Sequence, residues 1–165
     1  AAKEAFVKAA ELAHAAGRKV ALSLSDPFCV DRHRASFQHL VEGHVDILFA
    51  NHDEITSLYE TDSFDDAVGR LVGKVDLAAV TRGAEGSVIV TADQVIEILA
   101  EPVTNIVDTT GAGDLYAAGV LFGLTQGYEL EIAGRIGSIC AAEVISHYGA
   151  RPETSLSALV KEKLG

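Results

Sequence analysis

The chain has 165 residues, of which 48% are hydrophobic, and a formal net charge of −11 at pH 7. This length and apolar content suffice for one globular domain with a buried core. The negative charge argues against a nucleic-acid-binding surface, because binding to phosphate backbones requires clustered Lys and Arg side chains. No apolar run reaches about 18 residues, so the sequence does not predict insertion into a membrane.

Helical and strand-like patterns alternate along the chain, which predicts an α/β fold with a mostly parallel sheet flanked by helices. An antiparallel hairpin is predicted within that sheet, formed by 87–91 and 94–99 across a short turn. Further strands are predicted at 20–25, 45–50 and 77–81 and through Ile106 and Val107. Helices are predicted at 2–16, 31–42, 64–72, 112–126, 131–147 and 155–164, with one more through Ile55, Leu58 and Tyr59.

The ends of the sequence and its cysteines indicate the origin and compartment of the chain. It contains no methionine and opens directly in a helical pattern, which predicts that residues 1–165 are part of a longer protein. Cys29 and Cys140 lack metal-ligand spacing and are expected as reduced thiols. The sequence shows no signal-peptide pattern, so a cytoplasmic location is expected.

The six histidines show no metal-ligand arrangement such as H-E-x-x-H, and we expect their side chains to be solvated. They are His14, His33, His39, His44, His52 and His147.

The stretch Asp108–Asp114 (D-T-T-G-A-G-D) precedes an apolar segment that reads as a buried helix. Glycines allow backbone N–H groups to approach an anion closely, and a helix that begins there adds unpaired N–H groups and a positive dipole end. A carboxylate at Asp114 does not help phosphate binding, but it can remove a proton from a hydroxyl nucleophile. The stretch therefore predicts phosphoryl transfer to an alcohol. The alternative is that the glycine turn serves packing alone.

Two shorter motifs follow predicted strands, where α/β proteins place ligands. The spacing of Asn51 and Glu54 predicts a capping box at the start of a helix, either alone or together with ligand binding. Thr81, Gly83 and Gly86 form a glycine turn before the hairpin, and turn geometry alone would also explain these glycines.

Residues 108–121 resemble the second signature of the ribokinase-like (PfkB) carbohydrate and nucleoside kinases. That signature runs D-T-x-G-A-G-D, then three residues, two small residues and two apolar ones. The N-x-x-E and T-x-G-x-x-G motifs occur here in the order of that family, whereas a Walker motif and a G-x-G-x-x-G motif are absent. The resemblance implies a three-layer ribokinase-like fold, of which this chain would be the C-terminal half. The N-terminal half, with the acceptor-binding motifs and a small β lid, would lie outside it.

By this resemblance, Asp114 is the general base for the acceptor hydroxyl, and the N–H groups of Gly111, Ala112 and Gly113 form an anion hole. The resemblance also implies ATP and Mg²⁺. It places Asn51 and Glu54 around the phosphates and Mg²⁺, with Glu54 acting through water. The loop that lies along the nucleotide would contain Thr81, Gly83 and Gly86.

Many members of the family also bind a monovalent cation such as K⁺. The matching positions are Asp108, the carbonyl of Thr110, and carbonyls near Val144 and Gly149.

The implied activity is transfer of the γ-phosphate of ATP to a hydroxyl of a nucleoside or a sugar. Adenosine is favoured as acceptor, because 22–28, 121–127 and 146–152 resemble the bacterial adenosine-kinase-like branch. Ribose or another sugar is the alternative. A nucleotide-binding or interaction module without catalysis is the alternative of another class. The family also pairs as homodimers through the lid.

Overall fold

The structure is a computed structural model that describes residues 2–165. Five strands lie within this range: β1 (Ala21–Ser23), β2 (Ile47–Asn51), β3 (Leu77–Thr81), β4 (Ser87–Val90) and β5 (Val95–Ile98). The α-helices of the same range are α1 (Ala2–Ala15), α2 (Pro27–Gly43), α3 (His52–Tyr59), α4 (Phe64–Leu71), α5 (Ala112–Thr125), α6 (Leu130–Val144) and α7 (Leu156–Leu164), and a short 3-10 helix spans Gly83–Glu85.

The strands form one mixed sheet in the order β1-β2-β3-β4-β5, flanked by the helices. β1 pairs with β2 in parallel, with Ala21 opposite Ile47. The N–H of Thr91 donates to the carbonyl of Gln94 at 2.9 Å and closes the turn between β4 and β5. The predicted α/β fold with a hairpin is confirmed. In the part of the chain that the structure describes, no helix is long and apolar enough to cross a membrane.

The chain divides into two compact units, one made of the residues up to Val80 together with 90–95, and the other of 81–89 and 96–165. In the first unit, β2 is buried from Ile47 to Ala50 and β3 from Leu77 to Val80. Such continuous apolar runs are typical of parallel strands that are covered on both faces. Large apolar side chains from α2, α3 and α4 are buried in the same unit, including those of Val41, Leu58 and Leu71.

In the second unit, the backbones of α5 and α6 approach each other closely. A Cβ atom added to Gly119 would lie 2.7 Å from the Cα of Gly137, and one added to Gly123 would lie 2.7 Å from the Cα of Ala133. Helix α5 is therefore closely packed against α6. One face of the helix nevertheless remains open, because Phe122 is 48% exposed.

Two local predictions are wrong. Helix α2 begins at Pro27 rather than at 31, because the Asp26 carboxylate accepts the N–H of Phe28 at 2.8 Å and caps a helix that has proline at its first position. The strand predicted through Ile106 and Val107 is irregular backbone. The N–H of Val107 donates instead to the carbonyl of Ile145, just after α6, at 2.9 Å.

Candidate functional site

The anion turn, residues 108–113, leads into α5 in the second unit. Gly111 is the N-cap of α5 and has φ 82°. A Cβ atom at this position would lie 2.8 Å from the Cβ of Ala150. Both the left-handed backbone and the close neighbour exclude an ordinary side chain, so glycine is required here. The residue also fixes the direction in which α5 starts.

The first N–H groups of α5 determine what this turn can bind. The N–H of Ala112 donates to the carbonyl of Thr109 at 3.2 Å. Within residues 2–165, the N–H groups of Gly111, Gly113 and Asp114 have no protein acceptor, as expected for the first turn of a helix. Gly113 also has open space where a side chain would stand. These donors lie at the positive end of the helix dipole and are suited to an anion.

The Asp114 side chain lies in the first turn of α5, and the residue is exposed. Its carboxylate is therefore within the same helical turn as the open N–H groups. The sequence predicts a proton acceptor at this position.

Asp108 joins the beginning of the anion turn to the segment after α6. Its Oδ1 accepts the N–H of Thr110 at 2.9 Å, and its Oδ2 accepts the N–H of Gly149 at 3.0 Å. The Thr110 hydroxyl, followed by the N–H groups of Gly149 and Thr110, lowers the pKa of Asp108 to about 2. The ionised carboxylate supplies negative charge, and both of its oxygens accept backbone N–H groups. The structure brings three of the four predicted cation residues together, and the fourth, Val144, is buried at the end of α6.

Of the return segment, residues 145–154, the sequence predicts only Gly149 at the site. The segment is held at its far end by Glu143, whose Oε1 accepts the N–H of Glu153 at 2.9 Å, the N–H of Thr154 at 3.0 Å and the Thr154 hydroxyl at 3.2 Å. Burial raises the pKa of Glu143, but these N–H donors outweigh it and lower the pKa below its ordinary value. Glu143 is therefore a buried, ionised carboxylate.

His147 contacts the other oxygen of Glu143, with Nε2 3.4 Å from Oε2. Its side chain is only 13% exposed, so the prediction of a solvated histidine is wrong at this position. Burial lowers the pKa of His147, but the Tyr148 carbonyl and the Glu143 carboxylate outweigh it and raise the pKa. The sequence predicts one helix over 131–147, in which the spacing of four residues would bring Glu143 and His147 to the same side. In the structure α6 ends at Val144, and His147 lies in the segment that follows.

The motif of Thr81, Gly83 and Gly86 surrounds the short 3-10 helix after β3. A Cβ atom at Gly86 would collide with the carbonyl oxygen of Ile98, so close packing against β5 accounts for this glycine. Gly83 also has a positive φ, of 59°, but open space surrounds the position of its missing side chain. Gly83 therefore leaves its backbone accessible, as a loop along a ligand requires.

Asn51 and Glu54 lie in the first unit, where β2 gives way to α3, and form the predicted capping box. The Asn51 side chain accepts the N–H of Glu54 at 2.9 Å, and Glu54 accepts both the backbone N–H and the side-chain amide of Asn51 at 2.9 Å each. Burial, together with Asp26 and Asp53, raises the pKa of Glu54. A cation nearby would stabilise its charged form. Among the described residues, no group of three or more His, Cys, Asp or Glu is arranged to hold a metal ion directly.

The sequence profile of the pfkB family carbohydrate kinases matches residues 1–156. An adenosine kinase from Sinorhizobium meliloti is 47% identical, with a TM-score of 0.94 over 98% of this chain and 50% of its own. A probable sugar kinase from Rhizobium etli CFN 42 is 46% identical, with a TM-score of 0.94 over 98% of this chain and 49% of its own.

The nucleoside kinase of Methanocaldococcus jannaschii, an archaeal member of the ribokinase family, is 28% identical, with a TM-score of 0.72 over 88% of this chain and 48% of its own. The ribokinase-like fold expected from the sequence is thereby confirmed. The chain spans about half the length of each of these solved relatives.

Proposed function

Because the chain belongs to the pfkB family of carbohydrate kinases, we propose that it is the catalytic, nucleotide-binding portion of an ATP-dependent kinase. The reaction is transfer of the γ-phosphate to a hydroxyl group of a nucleoside or sugar. One observation carries this proposal: the N–H groups of Gly111 and Gly113 are open at the start of α5, with the Asp114 carboxylate in the same turn.

Each residue of the anion turn has a role in this reaction. The Asp114 carboxylate accepts the proton of the acceptor hydroxyl as that oxygen attacks phosphorus. The open N–H groups of Gly111, Gly113 and Asp114 stabilise negative charge on the oxygens of the transferring phosphoryl group. The N–H of Ala112 belongs to the predicted anion hole, and it contributes once it is released from the Thr109 carbonyl. Because phosphoryl transition states are loose, positioning supplies most of the rate enhancement and a weak base suffices.

The nucleotide would lie along the loop of Thr81, Gly83 and Gly86. Asn51 and Glu54 would hold Mg²⁺ through water, which suits a cation that keeps part of its hydration shell. Bound there, Mg²⁺ would neutralise charge on the phosphate oxygens. Asp108 and the carbonyls of Thr110, Val144 and Gly149 would hold a monovalent cation such as K⁺, because the ionised Asp108 supplies the required negative charge.

We place this chain in the C-terminal half of a single ribokinase-like domain. Support comes from β1, which ends the sheet yet leaves Ala21 and Ser23 exposed and Leu22 half-buried. Parallel sheets are normally covered on both faces, and an exposed edge strand presents unpaired N–H and C=O groups to a further strand. The N–H of Leu24 donates to Phe49 in β2, so the alternate amides of Ala21 and Ser23 face away from β2.

A further strand beyond β1 would pair with those amides. Hydrogen exchange at Ala21 and Ser23 should then be slower in the full-length protein than in residues 1–165 alone. Equal exchange in both would argue against a sheet that continues past β1.

Adenosine is the proposed acceptor, on the resemblance to the adenosine-kinase-like branch. Both an adenosine kinase and a probable sugar kinase are about equally similar to the chain, so the choice needs an experiment. ATP-dependent phosphorylation of adenosine, ribose and fructose should be compared in the full-length protein, which we expect to be a cytoplasmic homodimer paired through the lid. Preference for a sugar would replace adenosine and leave the reaction class intact.

A second function is nucleotide binding without catalysis, which would need only the open N–H groups of the anion turn and no acceptor. Titration of MgATP and of adenosine into residues 1–165 tests whether the glycine turn binds a nucleotide or serves packing alone. The heat released on adding MgATP is compared with the heat released on adding adenosine, which carries no phosphates. Heat that depends on the phosphates supports a nucleotide site. If the full-length protein then transfers no phosphate to any acceptor, the binding module is the better description.

A further inference from the structure

We propose that Glu143 is a positioning residue that fixes the return segment against the anion turn and so holds the phosphate-facing N–H groups in place. This inference rests on the proposed kinase function and adds a residue that no motif of the sequence contains. Glu143 acts through residues 149–154 and has no direct role in the chemistry.

The energetics of Glu143 make its hydrogen bonds hard to break. The residue is 8% exposed and charged, and a buried charge is costly unless it is paired and hydrogen-bonded. Its Oε1 accepts three donors from Glu153 and Thr154, at 2.9 to 3.2 Å. Release of these two residues would leave a buried carboxylate unsatisfied. The carboxylate therefore favours a single position of the segment.

The return segment needs such an anchor, because it has little packing of its own. Residues 146–154 contain no helix or strand, and residues 148–154 are all exposed. Three sets of hydrogen bonds hold it instead. At its start, the carbonyl of Ile145 accepts the N–H of Val107 at 2.9 Å. In its middle, Gly149 donates to Asp108 at 3.0 Å. Glu143 supplies the third set, at the far end.

The same segment forms one wall of the anion turn. The Cβ of Ala150 occupies the space beside Gly111 that a side chain would need, and Gly149 donates to one oxygen of Asp108. A shift of residues 149–154 would free that oxygen and remove the wall beside the N-cap of α5. The open N–H groups of Gly111 and Gly113 would then lose their fixed direction. A misplacement of about 1 Å in a catalytic arrangement can reduce the rate on the order of 10²-fold.

Glu143→Leu, Glu143→Gln and Ser138→Ala in the full-length protein test this inference. The glutamine keeps an acceptor for Glu153 and Thr154, whereas the leucine removes it. Ser138 is the matched control, because it lies on the same helix and accepts the N–H of Glu101 at 2.7 Å, so it anchors a different loop. For each variant, kcat, KM for the acceptor, and amide exchange at Thr110 and Gly149 are measured, because these two N–H groups donate to Asp108 and report whether the anion turn and the return segment stay joined.

We expect Glu143→Leu to lower kcat roughly 10- to 100-fold, with little change in KM for the acceptor and faster exchange at Thr110 and Gly149. Glu143→Gln should restore most of the kcat and the slow exchange. Ser138→Ala should change only the unfolding midpoint. Equal behaviour of Glu143→Leu and Ser138→Ala in kcat and exchange would overturn the positioning role.

Ala150→Gly keeps the inference testable if Glu143→Leu does not fold. It removes only the wall beside Gly111, at an exposed position, and should produce a smaller loss of kcat with faster exchange in the anion turn. If kcat and amide exchange in Ala150→Gly both equal the wild-type values, the return segment does not hold the anion turn in place. The exchange measurements need no turnover. Absence of phosphate transfer in the wild type would therefore refute the kinase function, while the exchange data still decide whether Glu143 orders the turn.

Discussion

Gly111 is the position in the anion turn at which a residue other than glycine fits least well. It combines a φ of 82° with a Cβ position 2.8 Å from Ala150. Gly113, two residues later, has open space in place of a side chain. The two glycines of one motif therefore have different physical roles, although the sequence presents them alike.

Gly111→Ala should destabilise the protein by roughly 1–3 kcal/mol, because alanine at positive φ is strained and its methyl group meets Ala150. Gly113→Ala, in the helix and without a nearby atom, should be neutral or stabilising by up to about 1 kcal/mol. Denaturant unfolding of both variants checks this difference. Equal stabilities would mean that the strain at Gly111 is absent.

Asp46 links the end of α1 to β2 in the first unit. Its Oδ2 accepts the N–H of Val20 at 2.6 Å and lies 2.9 Å from Nε2 of His14. Burial raises the pKa of Asp46, but the Val20 N–H and His14 outweigh it and lower the pKa below 3.8. The folded state therefore binds this proton less readily than the unfolded state, and stabilisation is fully present above the unfolded pKa.

Asp46→Asn should lower stability at pH 7 by roughly 1 kcal/mol. The difference from wild type should shrink as pH falls through the lowered folded pKa of Asp46. Denaturant midpoints measured from pH 7 downward check the trend, with the exposed Asp93→Asn as control. A difference that stays constant with pH would contradict the linkage.

Among the elements, the pair α5 and α6 gives the anion turn a rigid base. Gly119 on α5 and Gly137 on α6 let the two backbones approach each other. Both helices lie in the second unit, and α5 carries the open N–H groups at its first turn. The position of those groups therefore depends on small residues well beyond the motif.

Gly119→Ala should destabilise the protein by about 1–3 kcal/mol, because its methyl group would lie 2.7 Å from the Cα of Gly137. Relief of this contact requires a shift of the helix backbone, which is energetically costly. Gly69→Ala is the matched control, since Gly69 lies in α4 with no atom near its Cβ position. That variant should be stabilising by roughly 0.5–1 kcal/mol, because alanine favours the helix. Changes of opposite sign in the thermal unfolding midpoints of the two variants would support the close packing of α5 against α6. Changes of the same sign would contradict it.

Elements with a strong local pattern could be predicted from the sequence, and those held by distant contacts could not. The apolar runs of β2 and β3 and the capping box at Asn51 depend on neighbours a few residues away. The irregular path at Val107 depends on the carbonyl of Ile145, and the return segment depends on Glu143. Such long-range hydrogen bonds leave little trace in local composition.

At the scale of the whole molecule, the predicted functional residues lie in two compact units. Asn51 and Glu54 belong to the first unit, and the anion turn with the Thr81 loop belongs to the second. The sequence motifs predict the proposed reaction class, because the chemistry of phosphate and proton transfer is concentrated in short stretches. The acceptor could not be read in the same way, since the chain spans about half of each solved relative.

Turnover of Asp114→Asn in the full-length protein tests the central claim most directly. With the preferred acceptor and MgATP, kcat should fall roughly 10²- to 10⁴-fold, because the variant lacks the proton acceptor, while affinity for MgATP stays close to wild type. Glu131→Gln, an exposed carboxylate in the first turn of α6, should leave kcat unchanged. Full turnover in Asp114→Asn would contradict the assignment of Asp114 as the base.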